Sequence, residues 1–467
     1  NLAEELVALA DKDRGAMDIS RQELFQALIE VSACLPVYRT YTNDYRVNPA
    51  DAAYLKEALA GARERQPSLG RLALDFLGRV LLLHFPAGMP EEQKKSWLRF
   101  VCRWQQFTGP IMAKGLEDTA AYVYNPLVSL NEVGGCRQAV SIPEFHAFNT
   151  ARQRTWPHTL NATSTHDTKR SEDVRARLNV LSELPELWQA CLSRWQALNA
   201  PKKHFWQDQE VPDANEEIFL YQTLLGAWPL HPAEVVDFKA RLQDYLVKAL
   251  REAKVHTRWI EPRHEYEQKV LEFAQAILAE VKENAFLPDF LALQGRLAYY
   301  GALNSLSQVL LKVTCPGVPD FYQGCELWDF SLVDPDNRRP VDFGLRQKLL
   351  QEITAAARRE EAAFLAELLS GWRDGRLKLF LTAGALRTRR RHRELFQIGE
   401  YLPLGVAGCR QEQVVAFARR LDQQWVMVLA PRFFASLTEP ENPPLGQAVW
   451  QDTRVSLPAG APRVWQD

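Results

Sequence analysis

His166 and Asp167 stand side by side in the stretch N-A-T-S-T-H-D-T-K-R-S-E-D-V-R-A-R, from Asn161 to Arg177. A carboxylate at that point can place negative charge beside a developing cation. The neighbouring imidazole can donate a hydrogen bond to a bound hydroxyl. Small, β-capable residues from Ala162 to Thr165 precede the pair, and a charged, helix-capable run follows it. A short strand that ends in polar residues and feeds a helix is how α/β barrels present catalytic groups. On its own a His-Asp pair is more often surface polarity or a capping carboxylate, so the rest of the chain has to decide.

Two further groups could join such chemistry. Gln105 to Gly135 carries Gly109, Gly115, Gly134 and Gly135 beside Lys114, Glu117 and Asp118. That mixture is too polar and too punctuated for plain core. It reads either as a loop over a site or as a turn between helices with solvated charges. Farther on, Asp334 and Arg338 lie in S-L-V-D-P-D-N-R-R-P-V-D from Ser331 to Asp342. They could grip a hydroxyl jointly or form a structural ion pair, and spacing alone leaves both open.

Helices must position most of this. Leu2, Leu6 and Leu9 share a face, and Ser20 with Glu23 has capping-box spacing ahead of Leu24, Phe25, Leu28 and Ile29. Helical stretches are expected over Ala52–Glu64, Leu72–Leu83 and Arg346–Leu369, with Val37–Tyr41 a strand or an extended link. Between Arg170 and Glu283 two helical stripes, Phe238 to Ala253 and Tyr266 to Val281, are separated by Pro262. After Gly371–Gly375 short β segments are expected at Leu377–Leu381, Val414–Arg420, Trp425–Ala430 and Gln447–Trp450. The middle pair flanks Leu421–Gln424 as a hairpin.

Composition narrows the class. The chain has 467 residues, 46% apolar and 24% charged, with a net charge of −2. That balance gives no reason to expect nucleic acid or an anionic membrane as partner. The run R-T-R-R-R-H-R from Arg387 to Arg393 lacks a surrounding basic excess and reads as a solvated face. Seven scattered cysteines (Cys34, Cys102, Cys136, Cys191, Cys315, Cys325, Cys409) show no metal-ligand spacing and fit reduced thiols in the cytoplasm. No apolar run reaches the ~18 residues of a membrane span.

Four motifs together resemble one known family. They are T-G-P-I-M-A-K-G-L-E-D-T-A from Thr108, S-T-H-D-T-K-R-S-E-D-V-R-A-R from Ser164, Y-Q-T-L-L-G-A-W-P from Tyr221, and P-G-V-P-D-F-Y-Q-G-C-E-L-W-D-F-S-L-V-D-P-D-N-R-R-P-V-D from Pro316. They resemble the maltooligosyltrehalose synthase family of the α-amylase superfamily, glycoside hydrolase family 13. The match runs over essentially the whole chain up to the terminal β region.

The resemblance implies a mainly helical α/β chain: the late strands of a (β/α)8 barrel, large helical insertions and a C-terminal antiparallel β domain. It divides the sequence into a helical subdomain over 1–95, a barrel segment with the seventh strand over 96–175, a helical insertion over 176–285, the eighth strand and its helix over 286–370, and a β-sandwich-like domain over 371–467. It implies an intramolecular transglycosylase that converts the reducing-end α-1,4 bond of maltooligosaccharides into an α,α-1,1 bond in trehalose biosynthesis. Asp167 then stabilises charge at the reacting sugar, His166, Asp334 and Arg338 hold its hydroxyls, and Lys114, Glu117 and Asp118 look like residues lining the pocket that retains glucose. No metal or organic cofactor is implied. The implied partners are an α-1,4-glucan, an N-terminal portion of the same enzyme and, functionally, a maltooligosyltrehalose trehalohydrolase. There is a departure: the nucleophile's G-[FL]-R-x-D-type context and the third-strand asparagine-histidine motif are absent from residues 1–467. With the Asn1 start, this leads to the expectation of a C-terminal portion, inactive alone. Three alternatives stand beside it: an α-glucan hydrolase of the same superfamily, a glycan-binding half needing a partner chain, and a non-catalytic helical scaffold.

Overall fold

The computed structural model describes residues 1–135, 139–357 and 361–465. The chain divides into two compact units, Asn1–Ala120 and Ala121–Asp467. Cys136 lies outside the described residues, as do three positions after the first half of the helix expected over Arg346–Leu369.

The first unit packs α1 (Leu2–Ala10), α2 (Arg21–Ala33), α3 (Pro49–Arg65), α4 (Arg71–Leu81) and α5 (Glu91–Met112) around Leu24, Val31, Leu77, Trp97 and Trp104. The capping box of Ser20 and Glu23 starts α2 as expected. Val37–Tyr41 forms no strand. The Gln105 side chain stands in for a strand partner: its Oε1 accepts from the Thr42 amide at 2.9 Å, and its Nε2 donates to the Thr42 carbonyl at 2.8 Å. The stretch after Thr108 is helical rather than a loop. Pro110 sits inside the last turns of α5, and the coil widens into a π-helical segment over Ala113–Ala120.

The second unit is also mostly helical. In order it contains α6 (Ala121–Val123), α7 (Ile142–Thr155), β1 (Leu160–Ala162), α8 (Glu172–Asn179), α9 (Pro185–Asn199), β2 (His204–Trp206), β3 (Gln209–Val211), α10 (Ala214–Ala227), α11 (Val235–Ala253), α12 (His264–Ile277), α13 (Phe286–Thr314), β4 (Val318–Asp320), α14 (Phe343–Ala357), α15 (Glu361–Ser370), α16 (Arg376–Arg391) and α17 (Arg393–Ile398). Then follow β5 (Glu400–Pro403), β6 (Val406–Ala407), β7 (Val414–Leu421), β8 (Gln424–Pro431), α18 (Gln447–Trp450) and β9 (Arg454–Val455).

β1 and β4 pair in parallel, Leu160 with Val318 and Ala162 with Asp320. Among the described residues no other strand joins this sheet. One of its faces carries Leu160, Ala162 and Val318 with Asp320 at its end, and Leu160 is 63% exposed. Beneath it runs α13, whose Leu297, Tyr300 and Val313 are buried.

The expected hairpin forms between β7 and β8, turning through Asp422 at φ 52°, a left-handed conformation that aspartate tolerates. β5 completes this sheet, and β6 pairs with β9. Two expected β segments are helical instead. Leu377–Leu381 lies in α16: the alternation L-K-L-F-L mimics a strand, but Lys378 is drawn inward to buried carboxylates, which a helix allows and the hydropathy pattern hides. Gln447–Trp450 is a single helical turn entered through Gly446 at φ 83°. The terminal β structure therefore begins at Glu400, not near Gly375. No helix among the described residues is long and apolar enough to cross a membrane.

Candidate functional site

β1 stops at Ala162, and the next residues make a tight polar turn. Ser164 Oγ accepts the Glu172 amide at 2.8 Å, which caps the start of α8. Thr165 Oγ1 accepts the Asp167 amide at 3.2 Å, and Thr168 Oγ1 donates to the Thr165 carbonyl at 3.0 Å. Small hydroxyl residues thus spend their side chains on the backbone and fold it without bulk. His166 is exposed and Asp167 half-buried. Neither side chain has a hydrogen bond or ion pair within the described residues, so both can turn to a ligand.

The segment after β4 docks on this turn. Ser171 donates its amide to the Ser331 carbonyl at 3.0 Å, and Arg170 forms an antiparallel bridge with Leu332. Asn337 Nδ2 donates to the His166 carbonyl at 3.1 Å. Asp334 and Arg338 therefore lie in the loop that touches the His166–Asp167 turn. Their mutual ion pair is long, at 3.9 Å. Asp334's close partner is Lys248 of α11, at 2.8 Å from its carboxylate and 2.7 Å from its carbonyl. Burial alone would raise the Asp334 carboxyl, but the Lys248 hydrogen bond and charge outweigh it and hold it below its usual range.

Arg241, seven residues before Lys248 and so on the same helical face, makes two 2.9 Å bonds to Asp336. One face of α11 thus grips the loop at two points, Asp334 and Asp336. The apolar stripe of this helix is legible in the sequence. The two cations flanking the stripe are not legible there, because a basic residue at i and i+7 looks like any solvated face.

A buried ionic cluster, also missed from sequence, lies at the strand ends. Glu172 and Asp173 occupy the first turn of α8, where a helix favours negative charge. Lys312 of α13 reaches Glu172 at 2.9 Å, and Lys378 of α16 reaches Glu172 and Asp173 at 2.8 Å each. Lys312 also donates to Thr163 Oγ1 at 2.8 Å, the residue that follows β1, and covers the ring of Phe321, the residue that follows β4. Asp173 accepts the Asp329 amide at 2.7 Å. Burial opposes ionisation of Glu172, yet Lys378 and Lys312 prevail and hold its carboxyl below the usual range. Burial and the Asp173 charge instead push the Asp329 carboxyl up. In sequence Glu172 and Asp173 read only as a charged helix start, and Lys378 as part of an expected β segment.

Lys114, Glu117 and Asp118 lie in the first unit, in the π-helical segment. Lys114 pairs with Asp118, and Glu117, nearly buried, accepts from the Tyr38 hydroxyl. Elsewhere in the second unit, Asp213, Glu216 and His256 bring ligand-type atoms within 4.8 Å of one another. They are already occupied by one another: Asp213 and Glu216 form the capping box of α10, His256 bonds Asp213 at 2.8 Å, and Tyr266 donates to Glu216.

The chain superposes on the maltooligosyltrehalose synthase of Arthrobacter ramosus with a TM-score of 0.75 at 32% identity, covering 98% of this chain and 52% of that one. A hypothetical maltooligosyl trehalose synthase of Sulfolobus tokodaii gives a TM-score of 0.63 at 31% identity, over 92% of this chain and 57% of that one. A protein of Mycobacterium tuberculosis named putative maltooligosyl trehalose synthase is 36% identical over 439 residues, 94% of this chain and 49% of its own length. No family model matches the chain. The resemblance drawn from the four motifs therefore stands: the chain is similar over nearly its whole length to maltooligosyl trehalose synthases, and it spans about half the length of the curated relatives it matches.

Proposed function

We propose that this chain supplies the histidine–aspartate part of an intramolecular transglycosylase that converts the reducing-end α-1,4 bond of a maltooligosaccharide into an α,α-1,1 bond. One observation carries the reading: a half-buried, unpaired Asp167 on a turn at the C-terminal end of β1, braced by the Asp334–Arg338 loop. The similarity to maltooligosyl trehalose synthases supports the same reading.

In this reading β1 and β4 are the seventh and eighth strands of a (β/α)8 barrel of glycoside hydrolase family 13. The exposed face at Leu160 and the adjoining cleft of about 770 Å³ along Ile142, Phe145 and Leu311 accept the polypeptide that completes the barrel. That polypeptide brings the nucleophilic aspartate and the acid/base glutamate, which retaining enzymes hold about 5 Å apart. The nucleophile attacks the anomeric carbon while the acid protonates the leaving oxygen. Asp167 lies fixed where positive charge grows, which is worth several kcal/mol, on the order of 3, in preorganised sites. His166 donates to a sugar hydroxyl, and Arg338, tethered only loosely to Asp334, turns to the same sugar. Lys114, Glu117 and Asp118 serve as sugar-contacting residues of their own unit. The freed glucose is retained, reorients and attacks the glycosyl-enzyme through its anomeric hydroxyl, so water has to be excluded. The product is a trehalose-capped chain, which a cytoplasmic trehalohydrolase would cleave. The division of the sequence into segments belongs to this proposal, with the terminal β region starting at Glu400 rather than at 371, and no cofactor enters it.

The test is an assay on maltopentaose with this chain alone, with this chain joined to the remaining half of a full-length relative, and with that assembly carrying Asp167→Asn. Reducing ends disappear without glucose release only in the completed assembly, and Asp167→Asn abolishes the change. Turnover by residues 1–467 alone, or an Asp167→Asn assembly as active as its parent, overturns the assignment.

A further inference from the structure

The arginine-rich run ends up at a concave site. A cleft of about 280 Å³ is lined by Arg389 and Arg390 of α16, Arg393 and Gln397 of α17, and His158 ahead of β1, with no aspartate or glutamate among its lining residues. Arg390 and Arg393 are exposed, and neither has a hydrogen bond or ion pair within the described residues. Arg389 is half-buried. Its guanidinium donates to the Val313 and Gly317 carbonyls at 2.6 and 2.5 Å, which fixes it at the cleft floor without neutralising it.

The ground behind the cleft is also cationic. Arg419 is fully buried and bonds only to neutral oxygens: the carbonyls of Thr314, Phe396, Gly399 and Glu400, and the Gln153 side chain. Arg152 is held by the side-chain oxygens of Asn149 and Asn161. Burial, and for Arg419 the neighbouring Arg389 charge, lower both Arg389 and Arg419, as expected of guanidiniums that lack a counter-ion. Three consecutive arginines at the C-terminal turn of a helix do suit its dipole. That accounts for Arg391, which does not line the cleft. It does not explain why Arg393 and His158, from other segments, converge on the same space.

We propose that this cleft is a binding site for a small phosphate-type oxyanion, inorganic phosphate or the phosphoryl group of a small metabolite. Arg390 and Arg393 close on it with forked hydrogen bonds, and Arg389 supplies fixed positive charge from below. Guanidinium forks match the tetrahedral oxyanion in geometry as well as charge. The small volume of the cleft and its apolar wall at Leu386 and Val318 favour a compact anion over an extended polyanion.

Calorimetric titration of the 467-residue chain with inorganic phosphate, and separately with pyrophosphate, tests this at constant ionic strength against sodium chloride and sodium acetate. Saturable binding of one phosphate or pyrophosphate is expected. The double variant Arg390→Ala/Arg393→Ala should bind at least tenfold more weakly with an unchanged melting temperature, because neither side chain has a structural partner. Arg391→Ala should bind like the parent. No saturation above the chloride control, equal binding of acetate, or full binding by the double variant overturns the proposal.

Discussion

Asn337 Nδ2 donates a 3.1 Å hydrogen bond to the main-chain oxygen of His166, joining two loops 171 residues apart in sequence. The same nitrogen lies 3.5 Å from the Thr165 carbonyl, while Oδ1 of Asn337 is buried without a partner. The site's geometry thus depends on an amide and not on a charge. Asn337→Asp would aim a carboxylate at two carbonyl oxygens. Loss of the donor together with that repulsion costs about 1–3 kcal/mol locally. Amide hydrogen exchange over residues 163–170 should speed up about tenfold or more in Asn337→Asp, and less in Asn337→Ala. Unchanged exchange in Asn337→Asp would remove this residue from the site's support.

Lys378, with a wholly buried side chain, is the common cation of Glu172 and Asp173. Lys378→Met leaves Glu172 with Lys312 but strips Asp173 of its cation. Breaking one side of a buried ion pair costs about 3–5 kcal/mol. The urea midpoint should fall accordingly with little change in slope. The double variant Lys378→Met/Asp173→Asn should recover part of the loss.

Glu216 predicts a pH dependence. Burial pushes its carboxyl from 4.5 up to about 7. A folded-state value above the unfolded one means that the native chain holds the extra proton. Its stabilising contribution is full below about 4.5 and is lost as pH rises through about 7. At 1.36 kcal/mol per unit the loss is on the order of 3 kcal/mol. Glu216→Gln keeps an acceptor for Tyr266 without titrating. Its melting temperature should exceed the parent's at pH 8 and match it near pH 4.5. A constant difference at all pH values would assign the effect to packing.

Gly301 lets α13 lie against α8. A Cβ built there would sit 2.6 Å from the Arg177 Cα and 2.8 Å from its Cβ. The obstacle is backbone, which cannot swing aside. Gly301→Ala should destabilise by about 1–3 kcal/mol, as overpacked cores do, measured as a drop in the thermal midpoint. The neutral control is Gly295→Ala in the same helix, where nothing lies within 4 Å of the added methyl.

The comparison of sequence and structure divides along physical lines. Periodicity exposes the faces of α11 and α12, the capping box of α2 and the β7–β8 hairpin, because each is encoded within a few residues. His166 and Asp167 are legible through their local setting of small residues ahead of a helix. Lys248, Arg241, Lys312 and Lys378 are not, since each acts on a carboxylate at least 86 residues away. Leu377–Leu381 misleads for the same reason: the buried carboxylates at Glu172 and Asp173 make Lys378 an inward-facing residue, and no pattern within α16 records them.

Asn161, in the middle of β1, is tied by its side chain to Arg152 at 2.8 Å and to the carbonyls of Lys312 and Pro316 at 3.3 and 3.1 Å. A slip of one residue would break all three bonds and turn Leu160 inward. The open margin of β1 is therefore not a sliding surface but a ruler with its zero already marked. Any strand that joins it has to come in at one phase, so selection of the right neighbour begins with backbone alignment, before a single side chain has been compared.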